Sequence, residues 1–570
     1  MRSLKWRGMS FMDVIIGTAL LLMIFVALSG LLRNSLVIAS IAKNKAIATA
    51  VAESQMEYVR SLSYDAVGTV GGIPPGNIPQ YATTTNNGLD FVTRTYIEYV
   101  DDPKDGLEAA DGNGIMTDYK RIKVSVRYNT GGADRLVELI SNYAPPGLET
   151  TTGGGTLRIN VVNAVGEGVP GASVTITNPS TDPSVNLTAF SSDLGIVYLP
   201  GAATSTDYRI TVGKDGYSTA QTYERDATNQ NPTPGYMTVV KDQTTTGTFA
   251  IDLLAALTVR TFSPIATTTW TDTFNDSGSI ASESNVSVGG GSVALAGAPG
   301  TYALNGSVRS IALAPNYLAE WTSASISTSL PPDTNVRFHI ADGGGTLLPD
   351  AALPGNSSGF TTEVDLSGVP EETYTSISLV VYLDSISVNV TPSLLDWTIL
   401  YQRGPVPLPN VSFSLTGGKT IGSTGGGAPI YKTSVSQSTD DSGVRELSFE
   451  WDTYQADILS YDVVDACNAP PYTLAPNASF DSSLILDDPT TNSVLVSART
   501  TAGSISAGSI TLSRTGYSET VGVSECGAAY FGNVVSASDY TVTANTPGYV
   551  DVVATGVSVS GQLFYEIIFE

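Results

Sequence analysis

Cysteine occurs twice in these 570 residues, histidine once, and charged residues make up only 14%. The single imidazole, His339, sits among Val336, Arg337, Phe338 and Ile340, a strand-like run. A serine or cysteine triad would have to use that one ring, and a histidine-rich metal site cannot be built. Catalysis is therefore not expected. Positive charge is also scarce: 28 Lys and Arg stand against 54 Asp and Glu, a net charge of −26. Binding a phosphate backbone needs concentrated positive charge, so nucleic acid is not expected as a partner for the bulk of the chain. A charged fraction below the roughly 25% of average globular proteins leaves a hydroxyl-rich surface of the kind exported β proteins carry. The glycine-rich run 422–427 lacks the Gly-Lys-Ser/Thr ending of a phosphate loop and reads as a flexible turn. Paired acids abound, but nothing in their spacing separates a glycosidase pair from a solvated surface.

What is present starts at the N-terminus. Residues 14–32 carry no formal charge. As a helix they would cover roughly 28 Å, close to the hydrocarbon thickness of a bilayer. Arg2, Lys5 and Arg7 precede them and favour a cytoplasmic N-terminus. An ordinary signal peptide is cut after its apolar core, and Val37, Ile38 and Ala39 offer a weak site of that kind. Gly8, Met9 and Asp13 offer a different one, before the core. That arrangement resembles type IV prepilins and pseudopilins, with two departures: methionine stands at the usual phenylalanine and aspartate at the usual glutamate. The resemblance implies cleavage after Gly8 by a prepilin peptidase and methylation of the new N-terminus at Met9. A carboxylate in an apolar run costs a few kcal/mol by insertion scales, and the α-amine of Met9 on a neighbouring subunit would give Asp13 a cation. The bland alternative is an uncleaved anchor with Asp13 at headgroup level.

Glycine and proline are absent between Leu31 and Val67. A helix from Met9 to about Leu62, roughly 80 Å long, is expected. Ile47, Val51, Tyr58 and Leu62 fall on one stripe and are expected to face a head domain. The stretch 51–76 also resembles the helix end and following loop of minor pilins and pseudopilins. Two strands are expected over 90–100 and 119–128. Between and beside them, Asp101, Asp102, Asp105, Asp111, Asn113 and Asp118 crowd a glycine-bearing loop. Oxygen donors in that density suit calcium, although the EF-hand spacing and its closing glutamate are missing. A merely solvated acidic loop is the alternative, and no other cofactor is expected.

Beyond a linker at 148–155 the chain changes character, to short Val, Ile and Thr-rich strands broken by Gly, Pro, Asn and Asp. Leu157 to Val162, Val174 to Ile176, Tyr208 to Val212 and Tyr217 recur in order as Val494 to Val496, Ile510 to Leu512, Tyr540 to Thr543 and Tyr549. A looser copy contains Val411 to Leu415, Asp440 to Gly443 and Trp451. These copies resemble carboxypeptidase regulatory-like, transthyretin-type modules. Between the first and the looser copy, strands are expected at 376–381, 386–390 and 396–401. Their ending weakly resembles jelly-roll or lectin-like sandwiches, in which Trp270 and Trp321 would line a glycan surface or, more simply, be buried.

The fold expected is an α+β pilin-like domain, a long N-terminal helix plus antiparallel sheet, followed by several all-β sandwiches. The expected divisions are a leader at 1–8, the pilin-like domain at 9–147, and sandwiches at 156–255, 256–402, 403–490 and 491–570. The function expected is a minor pilin or pseudopilin of a type IV filament, held first in the inner membrane by one span. It would then be displayed at the cell surface with other pilin subunits, its sandwiches serving adhesion or binding to a cell-surface or glycan ligand. The alternatives are a pseudopilin of a secretion or DNA-uptake machine, and an unassembled membrane-anchored surface protein with a carbohydrate-binding or carbohydrate-active domain. Export of both cysteines favours a Cys467 to Cys526 disulfide clamping adjoining modules, worth about 4 kcal/mol by loop entropy. Two free thiols remain the alternative.

Overall fold

The computed structural model describes residues 11–102, 104, 117–146, 153–500 and 503–570. It shows one long helix followed by many, mostly antiparallel, sheets, in two compact units: Met1–Leu254 with Lys419–Lys432, and Ala255–Gly418 with Thr433–Glu570.

In the first unit, helix Phe11–Arg60 runs without a break, as a stretch lacking Gly and Pro beyond Gly30 allows. Its C-terminal part lies on a four-stranded antiparallel sheet built in sequence order from Tyr81–Asn86, Leu89–Val100, Tyr119–Thr130 and Ala133–Tyr143. The stripe that packs differs from the one expected. Asn44, Ala48, Ala52, Met56 and Val59 are buried, Ile47, Val51 and Leu62 only flank the contact, and Tyr58 is exposed. Alanines let the helix approach the sheet residues Phe91, Ile97, Ile122, Val124 and Val126 closely, and bulkier side chains must sit to the side. Asn44 Nδ2 donates to Thr130 Oγ1 at 2.9 Å. Buried Lys120 donates to the carbonyls of Tyr64 and Val67, both at 2.9 Å, and fastens the turn after the helix.

Three β-sandwich modules share one plan. In the first, strand Gly155–Val162 is flanked in parallel by Thr244–Ala250 and antiparallel by Ile196–Ala202. In the second, Ala255–Ser263 is flanked in parallel by Ser479–Asp487 and antiparallel by Val444–Phe449. In the third, Ser493–Thr500 lies between Gln562–Phe569, parallel, and Ala528–Phe531, antiparallel. Each packs on an antiparallel partner sheet, five-stranded in the first module and four-stranded in the other two, for example Tyr517–Gly522, Ser509–Arg514, Ala537–Asn545 and Val552–Val559 in the third. The likeness extends to single atoms. Gly195, Gly443 and Gly527 each end a tight turn at positive φ, and their carbonyls accept from Val161, Thr261 and Ala498 of the first strand at 2.7–2.8 Å. A Cβ at any of the three would collide with that strand's backbone, so only glycine serves. The buried tyrosines Tyr208, Tyr454 and Tyr540 each return their hydroxyl to a carbonyl four or five residues back.

The second module corrects the expected divisions at 256–402 and 403–490. Ala255, Leu257 and Val259 belong to the core of Val411, Leu415, Tyr454 and Leu486. A separate sandwich is inserted after that first strand, and Val406–Pro407, where the chain returns, pairs with Phe262 and Ser263. The insert runs from strand Ala266–Asp272 to strand Ser393–Arg403, which form one sheet with others. Its core holds Phe274, Trp321, Phe338 and Trp397. The strand expected at 386–390 is a turn, in which the one hydroxyl hydrogen of Ser385 serves the carbonyl of Ser387 or of Val390 and Ile386 is 81% exposed. Nor is 422–427 a simple flexible turn. Strand Thr420–Ser423 pairs with Pro429–Tyr431 and with Asn231–Pro232 in the first unit, where a Cβ on Gly422 would strike Asn229.

Candidate functional site

Three places carry the expected chemistry, and a fourth carries chemistry that was not expected. The first is the helix. Every described large apolar side chain from Phe11 to Ile38 is 45–81% exposed, and the helix is long and apolar enough to cross a membrane. Gly8 and Met9 lie outside the described residues, as does the side chain of Asp13.

The second is the acidic loop. The backbone N–H of Asp102 donates to Asp118 Oδ2 at 2.6 Å, while Asp101 Oδ2 lies 3.5 Å from the Tyr198 hydroxyl. Asp105, Asp111 and Asn113 fall outside the described residues. Among the described residues no three acids, cysteines or histidines gather as a metal site. In the insert, Trp321 is fully buried and donates to the Tyr374 carbonyl, which removes it from any glycan surface. Trp270 is partly buried and stacks on Trp397. Buried His339 contacts the Asn356 carbonyl through Nδ1 at 2.5 Å.

The third is the seam between the second and third modules. Cys467 and Cys526 are joined in a disulfide, with their Cα atoms 4.8 Å apart. Around it, buried Asp462 accepts from the Tyr530 hydroxyl at 2.6 Å, from Thr490 Oγ1 at 2.6 Å and from Thr490 N at 3.1 Å. Gln562 bonds both the N–H and the carbonyl of Val463 at 3.0 Å, and Ser524 Oγ donates to Asp465. Burial first, then the bond to Asp462, pushes the Tyr530 hydroxyl up to about 12.

The fourth was not read from the sequence: a cleft of about 340 Å³ between the head sheet and the first module. The head supplies cross-strand pairs Arg94 with Ser125, Tyr96 with Lys123 and Glu98 with Arg121. Strand alternation puts them opposite Phe91, Thr93, Thr95 and Ile97, which face inward. The module supplies Phe190, Ser191, Ser192 and Asp193. The Tyr96 hydroxyl lies 2.5 Å from the Phe190 carbonyl and 3.0 Å from Glu98 Oε2, and its one hydrogen serves one of them at a time. Burial pushes the Glu98 carboxyl above the usual carboxylate range, against the opposing pull of Tyr96 and Arg121. A protonated Glu98 can donate to Tyr96 while Tyr96 donates to Phe190. The alternation of 89–100 was the available signal, but the module half of the cleft is about a hundred residues away in sequence.

No protein-family model matches the chain, and no curated protein does. Among solved structures it is similar to the Bacillus anthracis TIE protein, at 12% identity over 86% of this chain and 73% of that one, with a TM-score of 0.15. It is also similar to BcpA, the major pilin subunit of Bacillus cereus, at 8% identity over 73% and 99%, TM-score 0.13. The shaft pilin SpaA from Lactobacillus rhamnosus GG matches at 11% identity over 29% and 89%, TM-score 0.11. At such scores no functional reading rests on them.

Proposed function

We propose that the chain is a non-catalytic minor pilin or pseudopilin-like subunit of a type IV filament. Its apolar helix resides in the inner membrane and then among neighbouring helices, and its sandwiches act outside the cytoplasm in adhesion or surface binding. The supporting observation is the two-sided character of one uninterrupted helix: apolar and exposed over 11–38, docked on an antiparallel sheet from Asn44 to Val59. An apolar shaft of that length is stable only against lipid or other apolar helices. Gly8, Met9 and Asp13 precede or open the shaft in the order that processing and assembly would need.

Mass spectrometry of membrane-extracted protein tests the reading. The mature chain should begin at Met9 and carry one N-methyl group, and Gly8→Val should leave the precursor uncut. Asp13→Asn should insert normally but enter filaments poorly, because its partner amine loses a charge to pair with. A mature chain that retains Met1 to Gly8 overturns the proposal.

A further inference from the structure

Arg94 stands out in the cleft between the head sheet and the first module. The other cations there are engaged: Arg121 meets Glu98 at 3.4 Å and Lys123 meets Glu138 at 3.1 Å. Arg94 lies over the ring of Phe190 at 4.2 Å, with Tyr96 and Tyr81 at 5.8 and 5.9 Å. Among the described residues its side chain makes no hydrogen bond or ion pair. A guanidinium laid on an aromatic face keeps its in-plane N–H donors at the edge, a fork that fits a carboxylate bidentately. A second cleft of about 340 Å³ shares Glu98, Arg121, Ser192 and Asp193 with the first, and continues along Tyr99, Tyr119 and Tyr198. Together they offer one anion fork, the hydroxyls of Ser125 and Ser192 and a row of aromatic rings, beside the carboxyls of Glu98 and Asp193. In a chain of net charge −26 this is not a general polyanion surface.

We propose that this groove binds an acidic saccharide, with the carboxylate of a uronate-type sugar on Arg94 and the adjoining sugar on the tyrosine-lined continuation. Each clause matches a separate element: the fork selects the carboxylate, and the rings and hydroxyls select a pyranose over a plain anion. The site does not depend on filament assembly, because both its walls lie within the first unit.

The test uses the full chain in detergent, titrated with a galacturonate disaccharide and followed by calorimetry. Saturable binding is expected, weakened at least tenfold by Arg94→Ala and less by Arg94→Lys, which keeps the charge but loses the fork. Arg260→Ala, which alters an exposed ion pair with Asp481 elsewhere, should bind as the parent does. Unfolding midpoints check that the Arg94 variants fold, and Arg94→Lys decides if the alanine variant does not. The proposal is overturned by absent binding, by equal binding of the neutral galactose disaccharide, or by affinity that survives Arg94→Ala. Equal binding of tetraglutamate overturns it too, in favour of an acidic protein partner.

Discussion

Two junctions between neighbouring domains, one in each unit, solve the same problem in opposite ways. The seam of the second and third modules is directly bonded: a disulfide, the Asp462 carboxylate with three donors, and Gln562 paired to the Val463 backbone. Leu495 and Ala528 of the third module even enter the core of the second. The junction of the head and first module is tied at fewer points, chiefly Ile73 in the module core, Thr188 N to the Gly71 carbonyl at 2.7 Å, and Tyr96 to Phe190. Elsewhere it stays open and charged. Asp462, Asp465 and Gln562 of the seam are spent on holding domains together, whereas the junction keeps the Arg94 guanidinium uncommitted. Covalent bonding and an unpaired cation have been placed in different parts of the chain.

The contrast can be broken from either side. Replacing both cysteines by serine should have the largest effect, since the disulfide closes a sequence separation of 59 residues. Loop entropy puts this near 4 kcal/mol, and calorimetric unfolding should show the second and third modules melting earlier while the first unit holds. Asp462→Ala comes next. It strands the Tyr530 and Thr490 donors in a buried site, a cost of about 3 kcal/mol, and denaturant unfolding with and without reductant would separate it from the disulfide. On the open junction, Ile73→Ala removes one anchoring side chain. About 2 kcal/mol is expected, at the low end for such truncations because the site can collapse toward the cleft. Limited proteolysis between head and module would reveal it.

The smallest effect concerns pH. Glu98 holds its proton more tightly folded than unfolded, where its ordinary value is 4.5. Its contribution is therefore complete below that value and is lost as pH rises through the raised folded one. Acidification from neutral toward pH 4.5 should raise the unfolding midpoint of the first unit, and Glu98→Gln should flatten the change. An equal pH response in the Gln variant would mean that another group is responsible.

The helix was legible because a long apolar run without Gly or Pro has few other uses. Its buried stripe was not. Reading by hydrophobicity weighted Ile47, Val51 and Tyr58 over Ala48 and Ala52, yet close packing on a sheet rewards the small residues. The module repeats were visible in Tyr208, Tyr540 and Gly443, which specific backbone contacts enforce, while Gly527 and Tyr454 were not read as their counterparts. The insertion was not visible, since the pattern of strand Ala255–Ser263 says which face is buried but not which strand it pairs with. Arg94 and Phe190 became a site only when two distant strands met.

The insertion also sets a schedule. Strand Ala255–Ser263 leaves the ribosome before the whole inserted sandwich, and its parallel partner Ser479–Asp487 comes later still. At synthesis rates of about 5–20 residues per second, that first strand waits on the order of tens of seconds for its permanent neighbour. The insert meanwhile has all its own strands and can fold first. Once it does, Ser263 and Val406 are brought side by side, which shortens the loop that the second module must close. The guest domain thus serves as a folding clamp for its host.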